Sequence, residues 1–134
     1  MAKRQESDPR FEISFYENVL KRSPDFVEAL MCLGDLYTKE GFFEKGMGVD
    51  RRLAQLRPTD ATVFYNLACS YSLMGDVRAS EDAIRRAVAF GYEDFEYLLK
   101  DPDLVNLLTS DTLRAYFQEL RARARQRDCQ EETA

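Results

Sequence analysis

Histidine is absent from this chain of 134 residues. That removes the commonest acid–base group working near neutral pH, the commonest zinc ligand and any cysteine–histidine nucleophile. Cysteine is sparse: Cys32, Cys69 and Cys129 are odd in number and form no Cys-x-x-Cys pair. A disulfide framework is therefore not expected, and a reducing, cytoplasmic setting is the simplest one. No run approaches the ~20 apolar residues of a membrane span. The first eight residues have charges with no apolar core behind them, so no signal peptide is expected. A glycine-rich phosphate loop closed by Lys-Ser or Lys-Thr is missing too. The acids Glu81-Asp82 and Glu93-Asp94 are adjacent in sequence, which is not the facing pair a glycosidase uses. The expectation is no enzyme, no cofactor and no metal. A catalytic pocket would have to be assembled from Tyr97, Lys100, Asp101 and Asp103.

What is present is an ordinary globular composition: 45% hydrophobic, 32% charged, with 19 basic against 24 acidic residues and a net charge of -5. The length suits one domain with a real core. Mixed signs and a negative balance argue against a nucleic-acid surface. Arg114, Arg121, Arg123, Arg125 and Arg127 make the end of the chain basic, but their spacing spreads them over several faces of a helix rather than along one phosphate-reading stripe.

Helices follow one another along the chain. Asp8-Pro9 is a cap followed by a first-turn proline, and Phe15, Tyr16, Val19 and Leu20 form a stripe behind it. Ser23-Pro24 stops that helix and starts the next. From Asp25 to about Lys39, Phe26, Leu30, Leu33, Gly34 and Tyr37 share a face, and Gly41 supplies the left-handed exit. A helix from about Phe42 to Leu56 carries Val49, Leu53 and Leu56, and Arg57-Pro58-Thr59-Asp60 turns into a new cap. Ala61 to Leu73 and Val77 to Phe90 repeat the pattern, and Gly91 ends it. Asp101-Pro102 then interrupts the chain and caps a short helix through Leu108, and Thr109 or Ser110 caps a last helix with Leu113, Phe117 and Leu120.

The organising feature is a period. Leu30, Leu33, Gly34, Tyr37 and Gly41 are matched 34 positions on by Phe64, Leu67, Ala68, Tyr71 and Gly75, and Leu53-Ala54 by Ala87-Val88. A repeat of that length is one helix-turn-helix unit that cannot bury its apolar face alone, so units stack.

These residues resemble the tetratricopeptide repeat family, most like its short bacterial members. Phe64, Leu67, Ala68, Tyr71, Gly75, Ser80, Ile84 and Ala87 occupy the family's repeat places, as do Leu30, Leu33, Gly34, Tyr37, Gly41, Leu53 and Pro58 one unit earlier. The resemblance implies an all-α, right-handed solenoid of antiparallel helix pairs with an irregular helical C-terminal end. One domain is expected over 9–127: a half repeat at about 9–26, full repeats 27–60 and 61–94, and degenerate helices 95–127, with disordered tails 1–8 and 128–134. The unit at 27–60 departs from the pattern at Gly46 and Asp50. Gly46 and Gly48 each cost about 1 kcal/mol against alanine inside a helix, and Asp50 should not be buried without a partner. The helix is expected either to rotate onto Phe42, Val49 and Leu53 or to be locally weak, unless Gly46 simply admits a close neighbour.

In such arrays the first helix of each unit lines a concave groove. The resemblance places Glu28, Met31, Asp35, Thr38, Thr62, Tyr65, Cys69 and Ser72 there, with Glu96 and Leu99 continuing the surface. Asn66 matches one asparagine place of the relatives that grip a C-terminal carboxylate, but Met31, Thr62 and Asp35 stand where their other polar and basic residues would be. The expected ligand is a peptide or protein segment with basic and apolar side chains, bound without catalysis. The alternative is a structural module that self-associates through Phe11, Phe15, Leu113 or Phe117. Neither nucleic acid nor membrane is expected as a partner. Cys32 is expected to point inward and Cys69 to face the groove.

Overall fold

The computed structural model describes residues 8–133; the side chain of Thr133, residue 134 and all but Asp8 of the expected tail at 1–8 lie outside the described residues. Every regular element among them is helical, and the chain divides into two compact units, one ending at Pro58 and the other beginning at Thr59.

The first unit holds α1 (Pro9–Arg22), α2 (Val27–Lys39) and α3 (Phe43–Leu56). Asp8 caps α1 by accepting from the Arg10 N–H at 2.9 Å, and Pro9 occupies the first turn, where no N–H is needed. Between α1 and α2 the expected cap does not form. Phe26 N–H donates to the Ser23 carbonyl in a tight turn, α2 starts at Val27 with no side-chain cap, and Asp25 instead pairs with Arg52 of α3.

α2 ends on a glycine at φ 84°, which lets the Phe42 N–H return to the Tyr37 carbonyl at 2.8 Å. A side chain there would be strained, so Gly41 is required by the turn. Of the alternatives for α3, the rotation does not occur and the close neighbour at Gly46 does. Phe42 stays half exposed and Val49 half-buried, while Gly46, Met47, Asp50 and Leu53 turn inward. The reason is close approach. A Cβ on Gly46 would meet Thr38 Oγ1 at 3.0 Å and Tyr37 Cβ at 3.6 Å, and one on Gly34 would meet Asp50 Oδ1 and Val49 Cγ1, each at 3.2 Å. The two glycines let α2 and α3 lie backbone against backbone, and that contact carries Asp50 into the interior.

The second unit begins with α4 (Ala61–Leu73) and α5 (Val77–Ala89). Asp60 caps α4 through the N–H groups of Thr62 (3.0 Å) and Val63 (3.2 Å), and Asp76 caps α5 through Ala79 (3.1 Å). Small residues bring the pair together: Ala68, Ser80, Ala83 and Ala87 are buried, and the Ser80 hydroxyl donates to the Ala68 carbonyl at 2.7 Å. Ile84, with no exposed surface, fills the space between them.

Beyond Gly91 comes a short α6 (Phe95–Leu98), then two 3-10 turns at Pro102–Leu104 and Leu107–Thr109, then α7 (Asp111–Thr133). The helix expected from Asp101 to Leu108 is thus replaced by two tight turns. Asp94 and Asp101 each cap the turn that follows them, and the Ser110 hydroxyl accepts from Leu113 N–H at 3.3 Å at the start of α7. Leu98, Leu104, Leu107 and Phe117 are fully buried and Leu113 nearly so. This corrects the self-association reading at two positions. Leu113 and Phe117 belong to the core of the second unit and offer no face to another molecule. α7 itself runs through Thr133, past the expected end near 127.

Candidate functional site

The expected binding residues fall into two groups. On α2, Glu28, Met31 and Asp35 are exposed on successive turns, and Thr38 is half-buried against Gly46. Asp35 pairs with Lys39 at 2.9 Å, and that hydrogen bond holds the lysine's pKa above its ordinary value. On α4 only Thr62 and Asn66 are exposed. Tyr65, Cys69 and Ser72, which the repeat register turns outward, are buried at 6%, 6% and 0% exposure, and Leu99 is half-buried. The two first helices therefore differ. α2 packs against α1 and α3 yet keeps Glu28, Met31 and Asp35 exposed, whereas α4, held between α5 and the turn at Pro102–Leu104, is buried along most of its length.

A polar cluster fastens that second cover. The Tyr65 hydroxyl donates to Asp101 Oδ2 at 2.5 Å, and the Cys69 thiol lies 3.8 Å from the same oxygen. Asp101 Oδ1 accepts from Asp103 N–H at 2.9 Å, so the carboxylate caps the turn with one oxygen and holds α4 with the other. Asp101 is buried at 3% exposure, and charge-assisted bonds of this kind are about twice as strong as neutral ones. The Tyr65 ring stacks on Tyr92 with centroids 4.3 Å apart and planes 16° apart, and Tyr97 borders it at 6.5 Å. Burial, then the bond to Asp101, pushes the Tyr65 phenol far above its ordinary value. Burial pushes Tyr92 up to about 12.

Cys69, Asp101 and Asp103 bring one thiol and two carboxylate atoms within 4.8 Å of one another, the donor types a cation could use. Asp101, however, is already committed to Tyr65 and to the cap of its own turn. Chemically the arrangement is a staple between α4 and the C-terminal segment. Ser72 takes part in the same join through its backbone: its carbonyl accepts from the Asn106 amide at 2.8 Å.

The cysteines are placed opposite to expectation. Cys32 is exposed, with its thiol beside the Tyr16 hydroxyl, and Cys69 is buried. The arginines of the helix end form exposed ion pairs within the unit. Arg125 and Arg121 reach Glu96, Arg127 reaches Glu93 at 3.4 Å, and Arg123 pairs with Glu119 at 2.6 Å. A signal for the covered α4 was present in the sequence. From Ala61 to Leu73 it carries no charged residue, whereas α2 carries Glu28, Asp35 and Lys39. A helix apolar or small nearly all round is a buried one.

Two solved structures share the fold. A crystal structure of MamA matches with a TM-score of 0.70 at 24% identity, over 81% of this chain and 64% of that one. A crystal structure of MamA protein matches with a TM-score of 0.58 at 21% identity, over 85% and 75%. The fold is TPR-like. All-α helix pairs, each closed by a glycine turn, carry that statement together with the two matches. Among curated proteins, a chloroplastic protein of Arabidopsis thaliana is 34% identical over 109 residues, 77% of this chain and 31% of its own length. The Protein CTR9 homolog of Arabidopsis thaliana is 38% identical over 72 residues, 54% of this chain and 6% of its own length. The chain thus spans about a third of the first and a small part of the second. No family model matches it.

Proposed function

We propose that this chain is a protein-interaction module of the TPR type, without catalysis, working in the cytoplasm. Its ligand is a peptide or protein segment bearing basic and apolar side chains, recognised by the exposed faces of the first helices. In the first unit these are Glu28, Met31 and Asp35 on α2; in the second they are Thr62 and Asn66 on α4, with Leu99 on the segment that follows α6. The observation that supports this reading best is the α2 face, where Met31, partly exposed, stands between the exposed carboxylates of Glu28 and Asp35, the latter paired with Lys39 at the surface. Such an arrangement is complementary to a cation next to an apolar anchor. Tyr65, Cys69 and Ser72 serve the site from behind by fixing α4.

The test is capture from the soluble lysate of the source cell with wild type and with Asp35→Lys combined with Thr62→Lys. Both positions are exposed, so the variant is expected to keep its helical content and lose the retained protein. Equal retention by both would remove these faces from the account.

A second reading is favoured by one observation. α1 has no buried residue, and Phe11 and Phe15, one turn apart, are 68% and 54% exposed. Pairing of two chains through that face would cover them. A mass in solution that does not depend on concentration would dispose of it.

A further inference from the structure

The second unit carries an open trough of about 520 Å³, separate from the faces above, between the end of α5 and the overhanging half of α7. That volume lies within the roughly 300–1,000 Å³ range of functional pockets. Its floor is apolar: Val88, Tyr92, Phe95 and Leu120. Its rim is not. Along α7 the lining positions are Leu120, Arg123, Gln126, Arg127 and Gln130.

The charges of α7 are sorted with respect to this trough. The helix carries Glu119, Asp128, Glu131 and Glu132 nearby, yet none of these acids is among the lining residues. Both α7 charges that do line it are arginines. The single acid on the rim is Glu93, from the opposite wall. In a chain of net charge -5 this is a local excess of positive charge over an apolar floor. The arginines are not locked: Arg123 with Glu119 and Arg127 with Glu93 are pairs with every side chain more than half exposed. Such pairs contribute little and exchange readily for another carboxylate.

From Leu120 to Gln130 the lining spans eleven residues, about 15 Å of helix from first to last. That is the length of a short peptide segment rather than of a compact small molecule. Amide side chains at Gln126 and Gln130 offer donors and acceptors along the same line, which a polypeptide backbone can use and a hydrocarbon chain cannot.

We propose that this trough docks an acidic segment of a partner protein, with a leucine-sized apolar side chain on the Val88–Tyr92–Phe95–Leu120 floor and flanking carboxylates on Arg123 and Arg127. The charge preference is opposite to that of the α2 face, so one ligand does not serve both. The surface is independent of the proposed function above and stands if that reading fails.

The probe is a dye-labelled peptide with leucine flanked by glutamates, compared with the same peptide carrying lysines in place of the glutamates. Fluorescence polarisation on the full chain is expected to show binding of the first and not the second, weakening as salt is raised. Arg123→Glu with Arg127→Glu should weaken the glutamate peptide by about tenfold or more, equivalent to about 1.4 kcal/mol or above. The neutral pair Arg123→Gln with Arg127→Gln, which spares Glu93 a like charge, should show a smaller loss in the same direction. A matched charge change elsewhere, Arg10→Glu with Arg78→Glu, should leave affinity unaltered. No binding of the glutamate peptide, equal binding of both peptides, or equal losses in the matched variant would overturn the proposal.

Discussion

Tyr65 and Asp101 are 36 positions apart in the chain and 2.5 Å apart in the structure. Phenylalanine at position 65 would keep the ring on Tyr92 but leave a buried carboxylate short of a donor. Bonds to charged groups are worth roughly 1.5–3 kcal/mol, so Tyr65→Phe should destabilise the second unit by about that amount in urea unfolding. A loss indistinguishable from zero would mean the staple is idle. The same residues set an alkaline limit. Burial raises the phenols of Tyr37 and Tyr92 to about 12 and that of Tyr65 further. Each must stay neutral in the folded chain, while the unfolded phenol ionises near ~10. Their contribution is therefore complete below about pH 10 and is lost as pH rises through the raised values. Phenolate absorbance should show a late-titrating class of tyrosines that rises together with loss of helical signal. Titration of every tyrosine near ~10 with the fold intact would contradict it. None of this was readable residue by residue. Tyr65 carries the repeat's outward register, and only the return of Asp101 to α4, a contact distant in sequence, buries it.

At the scale of elements, the sequence was most informative where a local rule acts. Asp8 and Asp60 cap as their positions suggest, and the glycine turns at 41 and 75 close α2 and α4 through returning N–H bonds. It was least informative where two elements compete for one residue. Asp25 could have helped to start α2, but it pairs with Arg52 instead, and α3 turns Asp50 inward because Gly34 and Gly46 admit a close crossing. That crossing separates the two helical glycines of α3. Gly48 has nothing within 4 Å of an added Cβ, so Gly48→Ala should raise stability by about 0.5–1 kcal/mol. Gly46→Ala meets Thr38 at 3.0 Å and should gain less than Gly48→Ala or lose outright. Thermal melts of the two variants side by side check this, and identical gains would mean the helices are not in close contact. α7 is a third case. Its first half is bolted by Phe117, which has no exposed surface, and truncation to alanine should cost about 3–5 kcal/mol.

For the whole molecule, the repeat period alone indicated an all-α chain of helix pairs, and two TPR-like solved structures agree. The irregular end was legible as irregular, through Asp101-Pro102, but its function as a cover for α4 was not. That is why three of the expected binding positions, Tyr65, Cys69 and Ser72, turned out to be packing residues. What stays exposed of the expected surface is Glu28, Met31 and Asp35 on α2, Thr62 and Asn66 on α4, and Glu96 on α6. The most direct test is side-chain footprinting of the chain alone and with the protein it captures from its own cell, reading Met31 against Phe11 and Phe15. Protection of Met31 on adding that partner, with Phe11 and Phe15 unchanged, is the expected result. Protection confined to Phe11 and Phe15, growing with the chain's own concentration, would contradict the account and make the module a self-associating one.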